Sequence, residues 1–287
     1  MSRVIAIVNQ KGGVGKTTTT VNLAASLAVL EKKTLIVDMD PQANATSGVG
    51  LQADVHETSF PENRQIYGAL LGQITASKAI FPTDIAHLFI APSTADLIGF
   101  EIEAIDLPDR EMKLRQALEP IQDTFDYILI DCPPSLSLLT VNALCAADSI
   151  LVPLQAEYYA LEGLSRLMTT VELIKSQLNP ILHVEGIILT MFDTRNNLSH
   201  QVATEVDTHF GSLVWKTRIP RNIRLSEAPS FGKPIITYDI RSVGAQSYLA
   251  LAKEFLEKIM PGGKTHEQRK TTRIGEGPIV SSPNPNT

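Results

Sequence analysis

Residues Lys11-Gly12-Gly13-Val14-Gly15-Lys16-Thr17-Thr18 stand between an apolar, strand-like run, Val4–Val8, and a helix-like run, Thr17–Leu30. A strand, a glycine-rich turn and a helix opening on Lys-Thr make a phosphate-binding loop. Glycines let the backbone wrap a polyphosphate with its N–H groups pointing inward. The positive end of the following helix dipole faces the same phosphates. Lys16 can reach the β- and γ-phosphates, and the Thr17 hydroxyl can hold Mg²⁺. The general pattern has a glycine six residues before the lysine. Here that position is Gln10, and the loop carries a second lysine, Lys11, at its start. The loop therefore implies ATP-type nucleotide binding with Mg²⁺. A merely structural glycine turn would not need the Gly-Lys-Thr-Thr ending.

The rest of the chain supplies the sheet that such a loop requires. Strands are predicted at Val4–Val8, Thr34–Asp38, Leu88–Ala91, Tyr127–Asp131, Ser149–Pro153, Gly186–Met191 and Pro234–Tyr238. Helices are predicted at Thr17–Leu30, Thr94–Ile105, Glu111–Gln122, Leu136–Ala147, Leu161–Leu178, Ser199–Phe210 and Val243–Ile259. Several strands are apolar on both faces, as in a parallel sheet covered on each side. Strand–helix alternation predicts an α/β fold, a single doubly wound and mostly parallel sheet with helices on both faces, spanning residues 1–260. The apolar face of Leu161, Leu164, Met168, Val171, Ile174 and Leu178 reads as core or subunit interface. Residues 261–287 are polar and mildly basic and read as a disordered tail.

Two further strands end in carboxylates. Tyr127–Asp131 is followed by Cys132-Pro133-Pro134-Ser135, and Asp131 is a candidate for ordering the Mg²⁺ shell. Thr34–Asp38 leads into Met39-Asp40-Pro41-Gln42. Carboxyl ends of neighbouring strands meet where phosphates bind, so either Asp38 or Asp40 is a candidate for holding Mg²⁺ or an attacking water. A turn or cap role before Pro41 is the plainer alternative.

Composition excludes several classes. The two cysteines, Cys132 and Cys145, form no Cys-x-x-Cys, and the six histidines show no ligand spacing. No run approaches the ~20 apolar residues of a membrane span, and the N-terminus lacks a signal-peptide pattern. A cytoplasmic protein is expected. The net charge of −6 speaks against a globally basic nucleic-acid binder. Between Trp215 and Ile235, however, five basic residues (Lys216, Arg218, Arg221, Arg224, Lys233) meet a single acid, Glu227. On charge alone this is a solvated loop or an anion-binding surface.

The P-loop, the run Val37-Asp-Met-Asp-Pro-Gln-Ala-Asn-Ala-Thr-Ser-Gly48 and Ile130-Asp-Cys-Pro-Pro-Ser135 together resemble the deviant-P-loop ATPases of the ParA/MinD superfamily. Gln155-Ala-Glu-Tyr-Tyr-Ala-Leu-Glu-Gly-Leu164 and Ile219-Pro-Arg-Asn-Ile-Arg-Leu-Ser-Glu-Ala-Pro-Ser230 narrow the resemblance to the ParA/Soj chromosome-partitioning ATPases, over roughly residues 3–260. It implies a switch in which two subunits sandwich two ATP molecules and Lys11 of each reaches the nucleotide of the other. It implies non-specific double-stranded DNA binding by the ATP homodimer, hence nucleoid association, and hydrolysis triggered by a ParB-type centromere-binding protein. Under the resemblance Asp40 is the hydrolytic aspartate and Asp131 the Mg²⁺-side aspartate. Arg195 and Arg221 match DNA-contacting positions, and the stretch around Pro220 and Asn222 packs the adenine. One departure is Val243, where the family often has arginine.

A MinD-like membrane-cycling ATPase is the rival reading. It needs a basic amphipathic C-terminal helix, and Leu249–Met260 balances Lys253 and Lys258 with Glu254 and Glu257. An iron–sulfur carrier needs interface cysteines, and neither cysteine is placed for that. A repressor with its own DNA-reading domain would need a segment ahead of the P-loop, which starts at residue 11.

Overall fold

In the computed structural model, residues 2–259 are described apart from 52, 55, 56, 59, 62, 63 and 158. The predicted tail, 261–287, lies outside the described residues. The chain divides into two compact units, Met1–Glu254 and Phe255–Thr287. Within the second, only the end of the last helix is described.

The elements run in order β1 (Arg3–Ile7), α1 (Lys16–Val29), β2 (Thr34–Asp38), α2 (Asn44–Gly48), β3 (Ala53–Asp54), β4 (Glu57–Thr58), α3 (Ile66–Leu70), β5 (Phe81–Pro82) and β6 (Leu88–Ala91). Next come α4 (Leu97–Glu103), α5 (Lys113–Leu118), β7 (Tyr127–Asp131), α6 (Leu138–Ala146), β8 (Ser149–Gln155), α7 (Ala160–Gln177) and β9 (His183–Thr190). The chain continues through α8 (Asn197–Phe210), α9 (Ile223–Glu227), α10 (Ile235–Tyr238) and α11 (Val243–Ile259). Seven strands form one sheet in the order β5-β6-β2-β7-β1-β8-β9, parallel except for β5, which runs antiparallel to β6. The short pair β3–β4 stands apart.

Side chains alternate across β1 as strand geometry requires. Val4, Ala6 and Val8 join a buried cluster with Leu139, Ala143 and Leu144 of α6 and Leu164, Leu167 and Val171 of α7. Ile5 and Ile7 are equally buried but lie outside that cluster. Their face is the one on which α1 presents Leu23, Ala24 and Leu27. Helices thus cover both faces, and the α7 stripe is core. Among the described residues no helix is long and apolar enough to cross a membrane.

The predicted strand Pro234–Tyr238 is instead α10, a single helical turn after Pro234. The backbone N–H of Ile235 donates to the Asn22 Oδ1 on α1 at 2.7 Å, so the segment packs on that helix and does not extend the sheet. The predicted helix Glu111–Gln122 is also broken. α5 is flanked by 3₁₀ turns, Arg110–Met112 and Glu119–Thr124, and Pro120 opens the second by removing a backbone donor.

The free edge of β9 is covered by Val214–Pro220. Trp215 N donates to Ile187 O at 2.9 Å, Ile219 N to Leu189 O at 2.8 Å and Phe192 N to Ile219 O at 3.0 Å. This run carries the basic segment to the carboxyl edge of the sheet. At its start Gly186 makes room for the buried Trp215. A Cβ on Gly186 would lie 1.8 Å from the Trp215 Nε1.

Candidate nucleotide site and basic surface

β1 ends beneath the loop and α1 begins at Lys16, so the loop bridges the centre of the sheet. Gly13 and Gly15 adopt φ of +76° and +90°, conformations open to glycine and strained for other residues. Two residues the sequence reading missed hold the loop. Asn9 Oδ1 accepts from Lys11 N at 2.9 Å, while its Nδ2 donates to Pro153 O on β8 at 2.8 Å. Thr190, at the end of β9, donates its hydroxyl to Val14 O at 2.8 Å. Neither belongs to a recognisable phosphate-loop pattern, and only the pairing of β1, β8 and β9 brings them in.

Lys16 is almost fully buried, and its Nζ donates to Lys11 O at 3.1 Å. Burial pulls its ammonium below the usual lysine range, and the nearby Asp131 and Asp40 carboxyls oppose this. That position demands anionic company. Thr17 Oγ1 donates to Asp131 Oδ2 at 2.7 Å, and Thr20 Oγ1 donates to Asp131 Oδ1 at 2.9 Å. Burial pushes the Asp131 carboxyl up, with Asp38 adding to the effect and the two threonine hydroxyls opposing it. Thr20 is a further residue missed. It lies one turn beyond Thr17 on the same face of α1.

The two aspartates after β2 have different tasks. Asp38 is fully buried and accepts from Thr46 N at 2.8 Å, Thr46 Oγ1 at 2.7 Å and Asp40 N at 3.1 Å. It organises the turn into α2. Asp40 Oδ1 accepts from Gln42 N at 2.9 Å, and the residue lines a cavity of about 330 Å³ with Gly12, Gly13, Lys16, Thr17 and Pro134. Asp40 is therefore the carboxylate beside the loop. Lys11, by contrast, is half-exposed and ion-paired with Glu157, just beyond β8.

A second cavity, about 460 Å³, adjoins the first and shares Gly15, Thr18 and Met191 with it. Its walls include Pro220, Arg221, Asn222 and Tyr248. Asn222 also caps α9 by accepting from Leu225 N at 3.3 Å. The two spaces together suit a base and a polyphosphate tail, with Lys16 and Thr17 at the phosphate end. Cys132 and Cys145 are buried free thiols.

The predicted basic residues fall into different settings. Arg195 forks onto Asp193, with Nε and Nη2 at 3.1 and 3.0 Å from its two oxygens. Arg221 acts on the same carboxylate and is exposed. Arg218 lies over the Phe192 ring at 4.6 Å and 3.7 Å from Asp207. Arg224 pairs with Glu227 at 2.9 Å and Asp239 at 3.6 Å. Lys216 and Lys233 are exposed. Arg195 and Arg221 are thus brought together, while Arg218 and Arg224 are engaged by other acids.

Comparison with known proteins gives the chain's relatives. A protein-family model described as an AAA domain matches residues 2–184. The chain is 55% identical over 261 residues to the chromosome partitioning protein ParA of Myxococcus xanthus, covering 91% of this chain and 90% of that one. It is 54% identical over 255 residues to the sporulation initiation inhibitor protein Soj of Bacillus subtilis, covering 88% and 98%. Among solved structures it resembles cobyrinic acid a,c-diamide synthase from Mycobacterium smegmatis with bound ADP and magnesium. The TM-score is 0.77 and the identity 33%, with 90% of this chain and 95% of that chain covered.

Proposed function

Because the chain belongs to the ParA/Soj family of chromosome-partitioning proteins, we propose that it is a weak Mg²⁺-dependent ATPase that partitions chromosomal or plasmid DNA. The observation that carries the reading is one cavity at the carboxyl edge of the sheet lined by Lys16, Thr17 and Asp40, with Asp131 buried behind Thr17 and bonded to it. The donor set fits MgATP. A buried ammonium held by a mere carbonyl is ready to exchange it for phosphate oxygens. A hydroxyl fixed by a carboxylate is a hard oxygen ligand of the kind Mg²⁺ takes alongside substrate phosphates. When bound, Mg²⁺ neutralises charge on the β- and γ-phosphates.

The chain's own groups then divide the work. Gly12–Thr18 supply backbone N–H groups to the phosphates, and Pro220 and Asn222 flank the adenine. Lys16 stabilises the charge that develops on the transferring phosphoryl group. Asp131 holds Thr17 in its ligating rotamer. Asp40 accepts a hydrogen bond from the attacking water and aligns it. Lys11 leaves Glu157 and reaches the nucleotide of the second subunit, which makes ATP a condition of the homodimer. Arg195 and Arg221, with Lys216, Arg218 and Arg224 around them, contact DNA phosphates without reading bases. Pairing two subunits doubles this surface and raises DNA affinity through effective concentration. A ParB-type protein stimulates hydrolysis and release. The protein works in the cytoplasm on the nucleoid, with residues 1–260 as the ATPase domain and 261–287 as an appended tail.

DNA co-sedimentation with ATP, ADP or no nucleotide, with and without the cognate ParB-type protein, tests the reading. ATP-dependent pelleting that the ParB-type protein reverses is expected. Arg195→Glu and Arg221→Glu should abolish it and Lys16→Ala should remove its ATP dependence. If truncation after Met260 abolishes pelleting while both arginine variants keep it, the tail is the DNA-binding element.

A further inference from the structure

Four consecutive residues connect the nucleotide cavities to the arginines. Thr190 is clamped to the P-loop through the Val14 carbonyl. Met191 follows with a left-handed backbone, φ +49°, which side-chain-bearing residues rarely adopt. It lines both the larger and the smaller cavity. Phe192 is buried, with its N–H held by Ile219 O and its carbonyl accepting from Arg221 N at 3.3 Å. Asp193 comes last. Its carboxylate accepts from Arg195 N, Nε and Nη2, all at 3.0–3.1 Å.

A guanidinium fork presents to a carboxylate the same paired N–H groups that it presents to a phosphate. We propose that Asp193 is an internal stand-in for a DNA phosphate: it competes with DNA for Arg195, and nucleotide in the cavities lined by Met191 weakens its hold. The inference rests on the DNA-binding reading above and adds a regulatory element to it. Thr190 is tied to the P-loop and Phe192 to Ile219 and Arg221, so a displacement of the left-handed Met191 passes to Asp193 through the same backbone that holds Arg221. The Asp193 carboxyl is correspondingly held down to about 2, first by its hydrogen bonds from Arg195 and secondarily by the Arg221 charge. The other engaged arginines are less direct. Arg224 pairs within its own turn and with Asp239, and Arg218 pairs with Asp207 on α8. Asp207 and Asp239 adjoin no residue of the two cavities, and Glu227, although it follows the cavity-lining Ser226, holds Arg224 within a single helical turn.

The test uses the full-length chain and a short fluorescent duplex of mixed sequence, titrated without nucleotide, with ADP and with ATP, all with Mg²⁺. Asp193→Asn keeps the side-chain shape and removes the charge. Asp207→Asn makes the same charge change at Arg218 and serves as control. Asp193→Asn is expected to raise nucleotide-free and ADP-state DNA affinity by roughly two- to fivefold, the scale of one released exposed ion pair. Its ATP-state affinity should stay near that of the unaltered chain, and fluorescent-ATP affinity should be unchanged. Equal gains for both variants in every nucleotide state would reduce the effect to net charge and overturn the proposal. So would the absence of any gain from Asp193→Asn, while ATP-dependent binding by the unaltered chain would leave the broader reading intact. If the unaltered chain binds no DNA with ATP, both fall together.

Discussion

Thr17 and Asp131 are 114 residues apart in sequence, yet the threonine hydroxyl donates to the aspartate at 2.7 Å in the buried centre of the fold. The pair joins the first turn of α1 to the end of β7. It is at once a structural tie and the candidate seat of Mg²⁺. Thr17→Val should therefore fail twice. Leaving one buried Asp131 oxygen without its donor should cost about 1–3 kcal/mol of stability, read by urea denaturation without metal or nucleotide. Mg²⁺-dependent ATPase activity should fall further than that loss explains. An unaltered denaturation midpoint would show that Thr17 is not needed to hold Asp131.

Asp38 and Asp40 should separate cleanly. Asp40→Ala is expected to bind fluorescent ATP normally while single-turnover hydrolysis falls by roughly 10²- to 10⁴-fold, the usual scale of a positioned acceptor. Asp38→Ala strips three donors, Thr46 N, Thr46 Oγ1 and Asp40 N, of their acceptor. It should lower stability by about 2–4 kcal/mol, seen in the same denaturation assay. Retained hydrolysis in Asp40→Ala would transfer the aligning role elsewhere.

Lys11 and Lys16 share a loop but not a setting. Lys16 is buried and Lys11 is half-exposed against Glu157. Lys16→Ala should lose nucleotide binding altogether. Lys11→Ala should bind ATP as a monomer and fail to form the ATP dimer, because its charge counts only across the interface. Light scattering decides, and a normal ATP-dependent dimer of Lys11→Ala would refute the crossing.

Two glycine-to-alanine changes should have opposite signs. At Gly186 the added Cβ would overlap the Trp215 indole. The expected cost is about 3 kcal/mol or more, with loss of buried-tryptophan fluorescence. At Gly163, inside α7, no atom lies within 4 Å of an added Cβ. There alanine should add roughly 0.5–1 kcal/mol of stability. Thermal unfolding of both variants measures the difference.

Much of this fold was legible because its strongest signals are local. The strands Thr34–Asp38, Leu88–Ala91 and Tyr127–Asp131 are found as their apolar runs predicted. Their ends could be placed because the carboxylates and Pro-rich turns stop the runs. Pro234–Tyr238 reads as a strand because so short an apolar run has no distinguishable period, whereas in the fold its Ile235 N–H donates to the distant Asn22 and the run turns into a helix. Pro120 is a visible breaker, and in the fold the helix predicted over Glu111–Gln122 gives way to a 3₁₀ turn there. In the site, the glycine loop and the aspartates announced themselves by type and spacing. Asn9, Thr20 and Thr190 did not, because an ordinary polar side chain takes its meaning from its partner across the sheet. The same applies to Asp193, which only the fold sets against Arg195.

The strand order also sets a clock. β1 is made first but lies in the middle of the sheet, with Arg3 opposite Tyr127 and Ile5 opposite Ser149. At roughly 5–20 residues per second, about seven to thirty seconds of synthesis separate β1 from its second neighbour. For most of that interval the glycine loop exists without Asp131 to fix Thr17, and for all of it without Pro153 to anchor Asn9. A nascent chain halted before β8 thus carries the whole nucleotide signature in its sequence and has no formed site to use it.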